Sequence, residues 1–166
     1  MSFLDFPDDD PKRAARRPML AFILVTLAVG AIGSAIAVPN IRAWYDTLRL
    51  PAFAPPDNVF PFVWTALYIL MAVAAWRAWR LTGLKSPAIA LYALQLALNL
   101  GWCIVFFGLH AVSAALLEIG TLVLAVLVTT ILFFRADKLS GLMMLPYLAW
   151  VGFAAALNYG FWVLNR

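Results

Sequence analysis

The chain has 166 residues, the length of one ordinary domain. Hydrophobic residues make up 65% of it and charged residues 12%, against ~45–50% and ~25% in soluble globular chains. So little polar surface excludes a soluble ball of this size and also a disordered chain, which leaves a membrane protein.

Met1–Arg17 opens with Asp5, Asp8, Asp9 and Asp10 and continues with Lys12, Arg13, Arg16 and Arg17. It reads as a flexible, solvated tail (1–17) ahead of a transmembrane domain (18–166). Crossing a bilayer takes roughly 20 mostly apolar residues in a helix, because lipid offers an open strand's backbone no partner. Five stretches qualify, at about 18–38, 59–79, 88–107, 112–134 and 142–164. In the first, Gly30 and Ser34 suit close helix packing. Ala35-Ile36-Ala37 gives a rival reading as a signal-peptidase site.

The first connection, Pro39–Asn58, is unusually apolar. Between Trp44 and Pro56 it holds Trp44, Tyr45, Phe53, Pro51, Pro55 and Pro56. One reading is interfacial anchoring of the rings. The other is a stiff flap over a cavity, with prolines lowering the entropy cost of ordering it. Asp57 and Asn58 then offer helix-start chemistry for the second span, and Ser86-Pro87 does so for the third as a cap followed by a first-turn proline. Pro146 lies inside the fifth span and is expected to bend it locally.

Three spans each carry a face that mixes rings with polar groups. The second has Phe60, Trp64, Tyr68 and Met71. The third has Gln95, Asn99, Trp102 and Phe106. The fifth has Tyr147, Trp150, Ala154 and Asn158. Singly, each face is what helix packing needs; together with the aromatic loop they describe a ligand pocket with ring walls and few polar groups. On the third span, Ala93, Ala97 and Gly101 form a small-residue ridge about 200° from Gln95 and Asn99. Internal packing and a homodimer seam both fit that ridge. Glu118 lies two turns inside the fourth span, where a carboxylate is costly. It is a candidate functional acid or a structural hydrogen-bonding group, with Gln95 and Asn99 as potential partners.

His110 reads as an exposed interfacial residue, and Arg77 and Arg80 beside Trp76 and Trp79 as an interface belt. The single Cys103 excludes an intrachain disulfide and a cysteine metal cluster. No metal-ligand set, nucleophile–histidine–acid set, phosphate-cradling loop or basic stripe for nucleic acid is present in the sequence. Nine of the twelve basic residues fall on the side of the N-terminal tail and three on the other. The positive-inside rule therefore expects a cytoplasmic N-terminus and an external C-terminus.

Several ordered blocks carry a family resemblance. They are Trp44-Tyr45 with Leu48, Pro51 and Pro55-Pro56; Phe60-Pro61-x-x-Trp64-Thr65-x-Leu67-Tyr68; Gln95-x-x-x-Asn99-x-x-Trp102-x-x-x-Phe106-Phe107-Gly108; and Pro146-Tyr147-Leu148-x-Trp150 with Leu157-Asn158. From about Val38 to Trp162 the chain resembles the tryptophan-rich sensory protein family, also called translocator protein or peripheral benzodiazepine receptor (TspO/MBR), in its bacterial form. The resemblance implies an all-α integral membrane protein, a five-helix bundle that often dimerises and binds tetrapyrroles such as protoporphyrin and haem as ligands rather than as obligate cofactors. It places the family's pocket at Tyr45, Trp64, Asn99, Trp102, Trp150 and Ala154. It also links Trp64 and Trp150 to light- and oxygen-dependent porphyrin breakdown in some bacterial relatives, and finds an acid at the position of Glu118 in many. The expected site adds Tyr68, with Asn99 and Tyr147 offering hydrogen bonds and Trp64 and Trp150 stacking on a macrocycle. Sensing, transport of pigment or lipid, and porphyrin breakdown all remain open. The chain departs from the family in its long tail and in Phe53, where relatives usually carry tryptophan. No basic residue falls within five positions after Tyr159, as the animal sterol motif requires.

Overall fold

The computed structural model describes residues 11–166, with side chains from Arg17 onward. The acidic part of the expected tail, residues 1–10, lies outside the described residues. Residues 11–17, also expected in the tail, instead continue the first helix.

Among the described residues five helices are long and apolar enough to cross a membrane, the third together with the π-helical turn that continues it. They are α1 (Pro11–Ala43), α2 (Val59–Thr82), α3 (Pro87–Cys103), α4 (Val112–Ala136) and α5 (Lys138–Leu164). Large apolar side chains point outward, among them Phe62 (78% exposed), Leu117 (77%) and Leu24 (66%). That is the arrangement for a bundle solvated by acyl chains, and the protein is an integral membrane protein. α3 runs into a π-helical turn, Ile104–Gly108, and a short 3-10 turn at Tyr45–Thr47 follows α1.

The helices close a ring in the order α1, α2, α5, α4, α3, with α4 packed most extensively along α5. α2 also touches α3 and α4. It can do so because Ala72, Ala74, Ala75 and Ala78 present almost no side chain and are completely buried. Around them pack Met71, Tyr92, Leu122, Val126, Phe133, Met144 and Val151.

Helix boundaries follow local capping. Ser86 starts α3 as expected, its Oγ accepting from Ile89 N at 3.4 Å. Asn58 stands at the start of α2 but its side chain caps nothing, because its backbone is already helical. α5 begins four residues before the apolar run does. Asp137 caps it, accepting from Ser140 N at 3.0 Å and Ser140 Oγ at 2.7 Å. The same carboxylate accepts from Arg77 Nε at 2.9 Å, so it also ties α2 to the α4–α5 connection. Arg77 is thus an ion-pair partner, while Arg80 does lie over a belt ring, 5.1 Å from that of Trp76. α5 continues through Pro146.

At the other end of the bundle, His110 takes a left-handed backbone (φ 56°). Its ring stacks on Trp44 at 4.4 Å and its Nε2 meets Asn40 Oδ1 at 3.0 Å. The α3–α4 connection is thereby fastened to the end of α1. The proline-rich loop is fastened to α5. Arg49 N donates to Asn165 Oδ1 (2.8 Å) and Asn165 Nδ2 donates to Arg49 O (3.1 Å). Pro51 packs on Gly160, and Phe53 meets Phe153 edge-on at 6.4 Å.

Candidate functional site

Beside this loop lies an open-sided cavity of about 430 Å³ between α1, α2, the end of α3 and α5, and residues 46–56 of the loop do not line it. That size is within the range of small-molecule sites, ~300–1,000 Å³. α2 supplies Phe60, Trp64 and Tyr68, α3 and its π turn supply Trp102 and Phe106, and α5 supplies Trp150 and Ala154. The 4-residue spacing along each helix brings these side chains to the same inner side. From the loop come Tyr45 and Asp57. Six of the expected ligand-binding residues therefore converge: Tyr45, Trp64, Tyr68, Trp102, Trp150 and Ala154.

The rings support one another by stacked and edge-to-face contacts. Trp64 stacks on Tyr68 at 5.4 Å and meets Trp150 at 6.5 Å with planes 89° apart. In this arrangement the two indole planes are perpendicular, so no single plane is parallel to both rings. Trp102 stacks on Phe106 at 5.2 Å and donates from Nε1 to Asn158 Oδ1 at 3.0 Å. Asn158 Nδ2 in turn donates to Val112 O, so this wall is locked to the start of α4. Trp150 Nε1, by contrast, is buried with no hydrogen-bond partner among the described residues. An unsatisfied donor costs ~1–3 kcal/mol, so this wall ring is held at some expense to stability.

Asn99 and Tyr147 do not reach the cavity, contrary to expectation. Both are fully buried behind its floor. Tyr68 OH donates to Asn99 Oδ1 (2.7 Å), Asn99 Nδ2 donates to Tyr147 OH (3.3 Å), and Tyr147 OH donates to Gln95 Oε1 (2.9 Å). Once these amides leave water each needs a partner, and the two tyrosine hydroxyls supply them at the α2–α3–α5 junction. Tyr68 therefore has two roles: its ring is the cavity floor and its hydroxyl belongs to this polar hub.

Glu118 lies outside the cavity, on the α3–α4 seam and half-buried. Its carboxylate faces Gly101, where an added Cβ would stand 2.9 Å from Oε1. It is not bonded to Gln95 or Asn99, which are engaged in the hub. Ala93 and Ala97 point outward while Gln95 and Asn99 are buried, so the two faces of α3 are opposed as the spacing requires. Gly101 is half covered by Glu118.

Sequence reasoning missed the α1 wall, formed by Gly30, Ala31, Gly33, Ser34 and Ala37. A Cβ at Gly30 would stand 2.5 Å from Tyr68 Cε2, so the floor ring needs glycine there. The run of small residues was visible, but small side chains carry no chemistry of their own. Asp57, read only as helix-start chemistry, was missed as well.

The sequence model of the TspO/MBR family matches residues 22–163. The chain belongs to the TspO/MBR family. Among curated TspO/MBR relatives, Protein CrtK of Rhodobacter capsulatus is 40% identical over 147 residues, covering 87% of this chain and 92% of the relative. The tryptophan-rich sensory protein of Cereibacter sphaeroides is 40% identical over 144 residues (87% and 90%). The human translocator protein is 32% identical over 153 residues, 90% of each chain. The TspO/MBR match takes in α1 from residue 22, α2, α3, α4, nearly all of α5, the loop and every cavity-lining residue.

Proposed function

We propose that this protein is a membrane receptor of sensor type that binds tetrapyrroles such as protoporphyrin and haem, and other flat hydrophobic molecules, in the cavity beside the first loop. Its role would be porphyrin handling, transport or stress regulation. The observation that carries the reading is the convergence of Trp64, Trp102 and Trp150 with Tyr45, Phe60 and Phe106 on one cavity. Flat conjugated rings gain most from such walls by stacking. The names of the relatives, tryptophan-rich sensory protein and translocator protein, agree with a receptor-type role. Titrating protoporphyrin into the purified protein should quench tryptophan fluorescence saturably. A Trp64→Ala/Trp150→Ala variant that binds as tightly as the parent would overturn the site.

The Trp64–Trp150 contact favours a second reading. Two touching indoles beside a light-absorbing porphyrin offer a path for radical transfer during oxidation of the ring by dioxygen. Illumination in air should then yield a defined product that the double variant does not form; indiscriminate bleaching would reject it.

We further propose a cytoplasmic N-terminus and an external C-terminus in a bacterial cell membrane, from the distribution of basic residues. The Ala93–Ala97–Gly101 ridge is the proposed homodimer face. Ala97→Phe should give monomers in detergent with ligand affinity intact; a dimer that survives it uses another face.

A further inference from the structure

We infer that Asp57 makes the mouth of this cavity cation-selective, so that the preferred ligand is a flat aromatic molecule carrying a positive charge at the edge facing the start of α2. The inference rests on the reading that the cavity holds a planar aromatic ligand, and not on that ligand's being a tetrapyrrole.

Asp57 is the only Asp, Glu, Lys or Arg among the described residues that line the cavity. It precedes α2 by a turn that is already helical: Asn58 has φ −66° and ψ −15°, and Phe60 N donates to Asp57 O at 3.3 Å. Positions 57, 60, 64 and 68 therefore share one face. The acid stands at the mouth, Phe60 and Trp64 along the wall, and Tyr68 at the floor.

The carboxylate is exposed and carries no ion pair or side-chain hydrogen bond among the described residues. No basic group of this end forms an ion pair with it among the described residues. Arg166 lies on the Trp162 ring at 5.2 Å, and neither Arg42 nor Arg49 lines the cavity. Asp46 adds to the same sign, since it and Asp57 both act electrostatically on the Tyr45 phenol.

The other polar side chains of the lining are uncharged and largely engaged. Thr65 Oγ1 donates to Pro61 O, and the Asn158 amide is held by Trp102 and Val112. The faces of the wall indoles carry negative quadrupole potential and attract cations as well. Mouth and walls thus favour a positive charge on the ligand over a negative one. An acidic tetrapyrrole would enter with its carboxylates turned away from α2.

An acid ahead of a helix also stabilises that helix through its dipole, so the test must separate recognition from stability. Three anthracenes that differ only in one substituent (aminomethyl, hydroxymethyl or carboxylate) are titrated at pH 7 into the full chain in a non-ionic detergent, with tryptophan quenching as the readout. The ammonium probe should bind roughly five-fold tighter than the carboxylate probe, the scale of one exposed charge pair assisted by aromatic faces. Asp57→Asn should abolish that preference and leave the hydroxymethyl probe unchanged, and Asp57→Lys should invert it. Equal affinities for the three probes in the parent would overturn the inference. So would an Asp57→Asn variant that weakens all three alike, which is the signature of lost helix stability. If no probe quenches saturably, the ligand cavity itself is refuted, a failure distinct from loss of charge preference alone.

Discussion

Gly30 of α1 and the ring of Tyr68 occupy space that admits no methyl group between them, the would-be Cβ standing 2.5 Å from Cε2 and 2.7 Å from Cδ2. The ring cannot yield cheaply, because its hydroxyl is bonded to Asn99 at 2.7 Å and the residue is buried. Gly30→Ala should therefore cost about 1–2 kcal/mol, an overpacking penalty offset in part by better helix propensity. It should also weaken ligand binding, since the displaced ring is the cavity floor. Thermal unfolding in detergent and a protoporphyrin titration check both; unchanged affinity would place the ligand above the floor.

Because Trp64 and Trp150 stand at right angles, replacing each by alanine should have unequal effects. The indole that faces the ligand plane loses stacking as well as contact area, a term of about 0.5–1.5 kcal/mol beyond the area. The other loses an edge contact. Equal losses in the two dissociation constants would mean that the rings rotate into parallel planes on binding.

Tyr147→Phe removes one hydroxyl from the hub and strands the Asn99 amide N–H and the Gln95 carbonyl that it bonds. A loss of about 1 kcal/mol in stability is expected, the scale for hydrogen bonds inside membrane bundles and for unsatisfied buried groups. Ligand affinity should change little, since Tyr147 lies outside the cavity lining. The reverse pattern, with stability intact and binding lost, would return Tyr147 to the site.

Arg77 and Ser140 hold the Asp137 carboxyl down at about 2, chiefly through the Arg77 hydrogen bond, from an ordinary value of 3.8. A group depressed in the folded state adds stability that is fully present above its unfolded pKa and is lost as pH falls through the folded one. The contribution should therefore fade between about pH 4 and pH 2. It is a small one, because the pair is partly exposed and screened. Melting temperatures of the parent and of Asp137→Asn should differ near pH 5 and converge near pH 2; a constant difference would assign the effect to something other than this ionisation.

The spans were legible because lipid imposes apolar length, and the cap of α3 because Ser86-Pro87 is a local signal. The start of α5 was not. Lys138–Gly141 is too polar to join an apolar run, and only the fold brings Arg77 to Asp137. Within the site, periodicity found the right helix faces but not their depth. Gln95, Asn99 and Trp102 share a face, yet two of them end in the hub and one in the cavity. That division depends on how α2 and α5 cross α3, which no spacing within α3 encodes. The α1 wall was unreadable for a related reason: the use of Gly30 is defined by a ring 38 positions away.

Tyr68 gives the bundle a mechanical link. Anything that presses on the ring from above tugs the hydroxyl below, and through Asn99, Tyr147 and Gln95 the pull reaches α3 and α5 together. One phenol is thus a pin shared by three helices: α2 cannot slide past α3 and α5 without breaking this chain of bonds.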